Sequence, residues 1–347
     1  MARRAARSHP RLPLSVLVLA LLIAGCGPIG RDEAPERVAA CLAGLPAPVS
    51  ETRGLFVEPD DGRAPILEEL AAARCTIDLT IYLISDDATI DALEAAVARG
   101  VQVRVILEEH PFGGGGDQPG SAAELRAAGI SVRWGQDRFR FTHAKYAVID
   151  ARTSLILNQN LTRSSFERNR EFGVISTVAA DVREARTIFD ADWEGRPPSG
   201  PFALIVSPDN SRVRLGELIN GAQRSLDLYA EVVRDPAMLA ELTEAERRGV
   251  SVRLMLTDEN DEANLTAATR LIQGGVDVRL LDHVYVHAKV VLVDGRQVFV
   301  GSQNWTATSL DANRELGVVL TEPLLVDRAE AVFASDWTLG SQQTGIE

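Results

Sequence analysis

The chain has 347 residues, of which 46% are hydrophobic and 24% charged, a length and balance that fit two domains or one duplicated domain and exclude a disordered protein. Its formal charge of −13 is the reverse of what a broad nucleic-acid-binding surface carries, although it leaves room for a small, locally basic site.

The first segment reads as an export signal. A basic start, MARRAARSHPR, precedes an apolar run from Leu14 to Ile23 that is too short for a stable membrane span. A signal peptide over residues 1–25 is therefore expected, and its loss removes four arginines, taking the formal charge from −13 to −17. Ile23-Ala24-Gly25-Cys26 resembles the lipobox of bacterial lipoproteins, which implies a lipidated Cys26, an extracytoplasmic location and a membrane anchor. Residues 26–50 are expected to be a tether. Cys41 and Cys75 are then the remaining cysteines, either two buried thiols or a disulfide worth about 3 kcal/mol through loop closure.

From residue 51 the chain is written twice. LFVEPDDGR (55–63) returns as LIVSPDNSR (204–212), and at the same offset of 149 TIDLTIY (76–82) falls on SLDLYAE (225–231) and Asp86 on Asp235. RGVQVRVIL (99–107) likewise falls on RGVSVRLML (248–256). The offset shrinks to 144 by FTHAKYAVID (141–150) against YVHAKVVLVD (285–294), and PFGGGG (111–116) accounts for part of the surplus in the first half. Residues 51–197 and 198–347 are the two repeats, joined through EGRPPSGP (194–201). Helical spacing over 64–73 and 88–98 alternates with β-branched strands such as TIDLTIY, VQVRVIL and KYAVID, which predicts an α/β fold. A half that is incomplete alone and present twice suggests two sheets packed about a pseudo-twofold axis, with the site on that axis.

The repeated frame carries chemistry. If His287 and Lys289 lie on a strand, two residues apart, they project to one face, as do His143 and Lys145. An imidazole beside an ammonium suits phosphate, one as nucleophile or acid and the other as fixed charge. Asn160, Asn304 and Ser302 are expected to add neutral donors to phosphate oxygens, and Asp150 and Asp294 to anchor turns. Glu171 follows His143 by 28 residues and Glu315 follows His287 by 28, so each carboxylate is a candidate to hold the imidazole of its own frame. Two such histidines can divide phosphodiester cleavage, one attacking phosphorus while the other protonates the leaving oxygen and later activates water or an alcohol. This scheme requires neither metal nor cofactor.

His-x-Lys-x4-Asp followed by Gly-Ser-x-Asn, present as His287, Lys289, Asp294, Gly301, Ser302 and Asn304, resembles the phospholipase D superfamily. The first copy keeps His143, Lys145, Asp150 and Asn160 but reads LNQN, with Leu157 and Asn158 where Gly and Ser are expected. The resemblance covers nearly all of the chain after the export segment. It implies two α/β/α repeats with the active site between them, a covalent phosphohistidine on His143, and His287 as general acid and base. A phospholipid-cleaving phosphodiesterase at a membrane is the leading expectation. A cardiolipin synthase-like phosphatidyltransferase and a metal-independent nuclease of the same superfamily stand beside it. A basic stripe would favour the nuclease, and apart from Arg133, Arg138, Arg140, Arg168 and Arg170 none is present.

Weaker signals remain open. His110 and His283 read as solvated loop residues, and GGGG (113–116) as a surface loop near the site. Arg138-Phe139-Arg140-Phe141 reads equally as a substrate channel or an edge strand, and Trp305 as a pocket wall or a packed residue.

Overall fold

The computed structural model describes residues 33–46, 50–257 and 262–343. The expected signal peptide (1–25) and Cys26 lie outside them. The segment expected to be a tether contains a helix, Glu33–Gly44, and Cys41 on it is disulfide-bonded to Cys75 of the first repeat. Of the two sequence alternatives for these cysteines, the bonded one is present.

The first repeat supplies strands β1 (Arg53–Glu58), β2 (Thr76–Ile81), β3 (Gln102–Leu107), β4 (Ser131–Trp134), β5 (Tyr146–Ile149), β6 (Thr153–Leu157) and β7 (Asn169–Ser176). The second supplies β8 (Ile205–Ser207), β9 (Ser225–Tyr229), β10 (Ser251–Thr257), β11 (Asp277–Leu281), β12 (Tyr285–Val286), β13 (Val290–Val293), β14 (Gln297–Gly301), β15 (Glu315–Leu320) and β16 (Ser341–Gln342). The sheets run β1-β7-β6-β5-β2-β3-β4 and β8-β15-β14-β13-β9-β10-β11, the same order of corresponding strands, with β16 added at one edge of the second. β2 is buried at every position, as expected of a strand with neighbours on both sides and both faces covered. Its one acid, Asp78, is held by a bidentate Arg104 on β3 (2.7 and 2.9 Å), and Asp227 and Arg253 repeat the pair in the second half.

The repeated Arg63 and Arg212 also acquire a cause. Each binds an aspartate, Asp86 or Asp235, whose side chain accepts from backbone N–H groups at the start of a helix (Asp87–Ala98 and Pro236–Arg247). Asp150 and Asp294 sit in left-handed turns (φ 53° and 56°) and accept from three consecutive N–H groups each, Arg74–Thr76 and Gln223–Ser225. Both act on the backbone at strand ends, away from the cavity described below.

The halves meet through a shared core. Tyr146, Phe172 and Phe189 of the first and Tyr229, Phe333 and Trp337 of the second are buried in one cluster, with the Phe172 and Tyr229 rings 5.5 Å apart. Backbone exchange adds to it. β12 leaves its own sheet to pair with β7, setting Tyr285 opposite Asn169 and Val286 opposite Arg170, and Thr142 forms the symmetric bridge to Arg314. Each His-x-Lys frame is thereby delivered to the Asn-Arg-Glu segment of the opposite half.

Candidate active site

His143 and His287 precede β5 and β13, in irregular backbone between the crossing bridge and the strand. The expected strand placement is corrected accordingly. Lys145 and Lys289 nevertheless lie beside their histidines, each donating from Nζ to the histidine's own carbonyl (2.5 and 2.6 Å). Both lysines are fully buried.

The carboxylates pair in the opposite sense to the one the spacing suggested. His143 Nδ1 meets Glu315 (2.9 Å) and His287 Nδ1 meets Glu171 (2.8 Å), so each histidine is held by the other repeat. The backbone crossing is the reason, since His143 N donates to Arg314 O and Tyr285 N to Arg168 O. Both glutamates are fully buried and further fixed by Asn313 and Asn169, whose Nδ2 groups donate to them (2.9 and 3.0 Å). With Nδ1 donating to a carboxylate, Nε2 is the nitrogen of each ring left for substrate, that of His287 standing 3.5 Å from Glu231. Both rings line one cavity of about 980 Å³.

Electrostatics distinguish the groups. Burial lowers the His143 imidazole below its ordinary value, the Lys145 charge adds to this, and Glu315 opposes it, which favours a neutral, nucleophilic ring. Burial pushes the Lys145 ammonium down to about 7. Burial alone would raise the Glu315 carboxyl, but its contact with His143 and the nearby Lys145 ammonium outweigh it and hold the group below its usual range.

Asn160 and Asn304 both line the cavity, and Asn160 Oδ1 has no hydrogen-bond partner. Ser302, expected to bind phosphate, is not among the residues that line the cavity. It is fully buried, and its Oγ accepts from Leu316 N (3.1 Å). Asn158, at the position of the missing serine, is also buried; its Nδ2 donates to Gly301 O (2.5 Å) and its Oδ1 accepts from Phe172 N, tying the halves together. Half of the Arg-Phe-Arg-Phe segment belongs to the cavity, as Arg140 and Phe141 line it. Arg138 pairs instead with Asp192, and Phe139 is buried beneath Arg314. The segment forms no strand. Phe112 and Gly116 of the glycine-rich loop reach the cavity rim, whereas Trp305 is buried in the second-half core.

Sequence reasoning missed Glu231, which lines the cavity and accepts from Lys289 Nζ (2.6 Å) and Asn304 Nδ2 (3.1 Å). Its signal was the exchange of an aromatic for an acid that sets it against Tyr82 in the repeat. Glu58 was missed too. It is fully buried on β1, directly opposite Glu171 on β7. Burial pushes its carboxyl up to about 8, with Asp61 and Glu171 adding to the shift.

A carboxyl raised from 4.5 keeps its proton in the folded protein after the unfolded chain has lost it, so it subtracts stability as pH rises from 4.5 towards 8. Glu58→Gln does not titrate. Its unfolding free energy, from denaturant titration, should therefore match the parent near pH 4.5 and exceed it by roughly 3–5 kcal/mol above pH 8. A difference independent of pH would remove this assignment.

A family model described as "Cardiolipin synthase, PLD-like domain" matches residues 66–193 and 215–337. The cardiolipin synthase of Oceanobacillus iheyensis is 24% identical over 328 residues, covering 80% of this chain and 67% of that protein. Among solved structures, polyphosphate kinase from Porphyromonas gingivalis superposes with a TM-score of 0.66 at 18% identity, over 86% of this chain and 52% of that one. Phosphatidylserine synthase from Haemophilus influenzae superposes with a TM-score of 0.65 at 14% identity, over 89% and 92%. At these identities the two superpositions speak to the fold alone.

Proposed function

The chain belongs to the phospholipase D-like family, and from that premise we propose that it is a phosphatidyltransferase of the cardiolipin synthase type. The observation that carries the reading is the pair of histidines in one cavity, each with Nδ1 held by a carboxylate of the opposite repeat. His143 Nε2 attacks phosphorus and forms a P–N bond as the P–O bond to the leaving alcohol breaks. Protonated His287 Nε2 gives its proton to that oxygen. The acceptor hydroxyl then loses its proton to His287 and attacks phosphorus, the P–N bond breaks, and His143 recovers its lone pair. Glu315 and Glu171 stabilise the positive rings that form in turn, and Lys145 with Asn160 meets the charge building on the non-bridging oxygens.

Hydrolysis led the expectations from sequence; kinship with a protein named cardiolipin synthase favours transfer. A lipid on Cys26 would keep the cavity beside its substrate, and mass spectrometry of protein from the native host tests for that acylation. The assay for the activity incubates purified residues 27–347 with labelled phosphatidylglycerol, phosphatidylcholine and single-stranded DNA in EDTA. The expected result is a diphosphatidyl product and free glycerol from phosphatidylglycerol, with DNA intact. DNA cleavage without lipid turnover would replace this reading with the nuclease, and loss of all activity in EDTA would sink the metal-independent route.

A further inference from the structure

The halves differ most sharply at one position inside the cavity. Tyr82 and Glu231 correspond in the repeat, follow the equivalent strands β2 and β9, and both line the cavity. The Tyr82 ring meets His143 edge-on, with centroids 4.6 Å apart, and Lys145 Nζ lies 5.0 Å from it. Glu231 instead engages Lys289 and Asn304, stands 3.5 Å from His287 Nε2, and is reached by the Tyr285 hydroxyl (3.4 Å). Among the described residues no carboxylate hydrogen-bonds Lys145 or Asn160, so only the second half carries one at its lysine and asparagine.

That asymmetry bears on where each part of a phosphodiester sits. A carboxylate held at the lysine of the second half repels the anionic phosphoryl oxygens, which favours seating them towards His143, Lys145 and Asn160. Glu231 then lies beside the nitrogen of His287 that exchanges a proton with the alcohol oxygen. A carboxylate there rewards an alcohol with a second hydrogen-bond donor near its reacting oxygen, either the vicinal hydroxyl of a glycerol unit or the ammonium of an ethanolamine unit. Water and simple alkanols offer no such group.

We infer that Glu231, with Tyr285 and Asn304, forms a subsite for the alcohol portion of substrate and acceptor and selects alcohols bearing a second donor. The inference rests on the phosphoryl-transfer reading of the cavity but not on a lipid being the substrate. Burial would raise the Glu231 carboxyl, but His287 and Lys289 outweigh that and hold it far below its ordinary value.

The test is calorimetric binding of phosphoethanolamine, glycerol 3-phosphate, n-propyl phosphate and inorganic phosphate to residues 27–347, as the parent and as Glu231→Gln. In the parent, the first two ligands should bind about tenfold or more tightly than propyl phosphate. In Glu231→Gln that ratio should fall to within about twofold of one, while inorganic phosphate binds as tightly as before or more tightly because Lys289 is released. A ratio near one in the parent, or an unchanged ratio in the variant, overturns the subsite. Uniform loss of all four ligands in the variant also overturns it, since that marks a structural role. Absence of lipid turnover alongside a Glu231-dependent ratio removes the lipid reading and leaves the subsite standing.

Discussion

His143→Ala and His287→Ala are each expected to lower phosphodiester turnover on the order of 10⁴-fold or more, because both steps of the scheme pass through both rings. A single variant at full rate would show that one repeat works alone. The more searching measurement concerns the glutamates. With a p-nitrophenyl phosphodiester, the good leaving group makes the first step independent of the general acid, so a crippled second step lets phosphohistidine accumulate. The crossed pairing makes Glu171 the partner of His287. Glu171→Gln should therefore slow turnover on the order of 10²–10³-fold while phosphorylated His143 builds up, and Glu315→Gln should slow its formation instead. Peptide mass spectrometry of the quenched reaction reads the outcome. Phospho-His143 accumulating in Glu315→Gln, but not in Glu171→Gln, would mean that histidine and glutamate act within one repeat.

That pairing shows where sequence reasoning stops. The duplication, the strand-helix alternation and both His-x-Lys frames were legible because each leaves a local pattern. The partner of each histidine was not. His143 precedes Glu171 and His287 precedes Glu315 by the same 28 residues, so pairing within a repeat and between repeats is degenerate in spacing. Only the crossing of β12 onto β7, and of Thr142 onto Arg314, decides it. Ser302 illustrates a different limit. A hydroxyl near a phosphate-binding motif is chemically able to donate to substrate, but the turn after β14 points it at Leu316 instead. Glu231 was visible only as a departure from the repeat. Departures from internal symmetry are where a duplicated chain stops being structurally redundant, because the two halves of one site need not perform the same step.

The largest stability effect is expected at the interface rather than in either half. Arg170 reaches across to Asp336 with two hydrogen bonds (2.7 and 3.0 Å), and Arg314 reaches back to Asp192 (2.8 Å). All four side chains are buried, so removing one partner strands a charge in the core, which typically costs about 3–5 kcal/mol. The two sites are not equal. Asp192 keeps Arg138 when Arg314 is lost, whereas among the described residues Asp336 keeps only the Tyr229 hydroxyl (2.6 Å) when Arg170 is lost. Arg170→Met should thus cost about 3–5 kcal/mol in denaturant unfolding, and Arg314→Met about half as much. Changing both partners, Arg170→Met with Asp336→Leu, removes the stranded charge and should recover most of the loss, since apolar replacement of a buried pair is often neutral. Unfolding is expected to stay a single transition in each case, because Phe172 and Tyr229 keep the halves in one core. A cost below about 1 kcal/mol for Arg170→Met would show that the aspartate finds water or a proton instead, and that the crossed ion pairs do not hold the halves together.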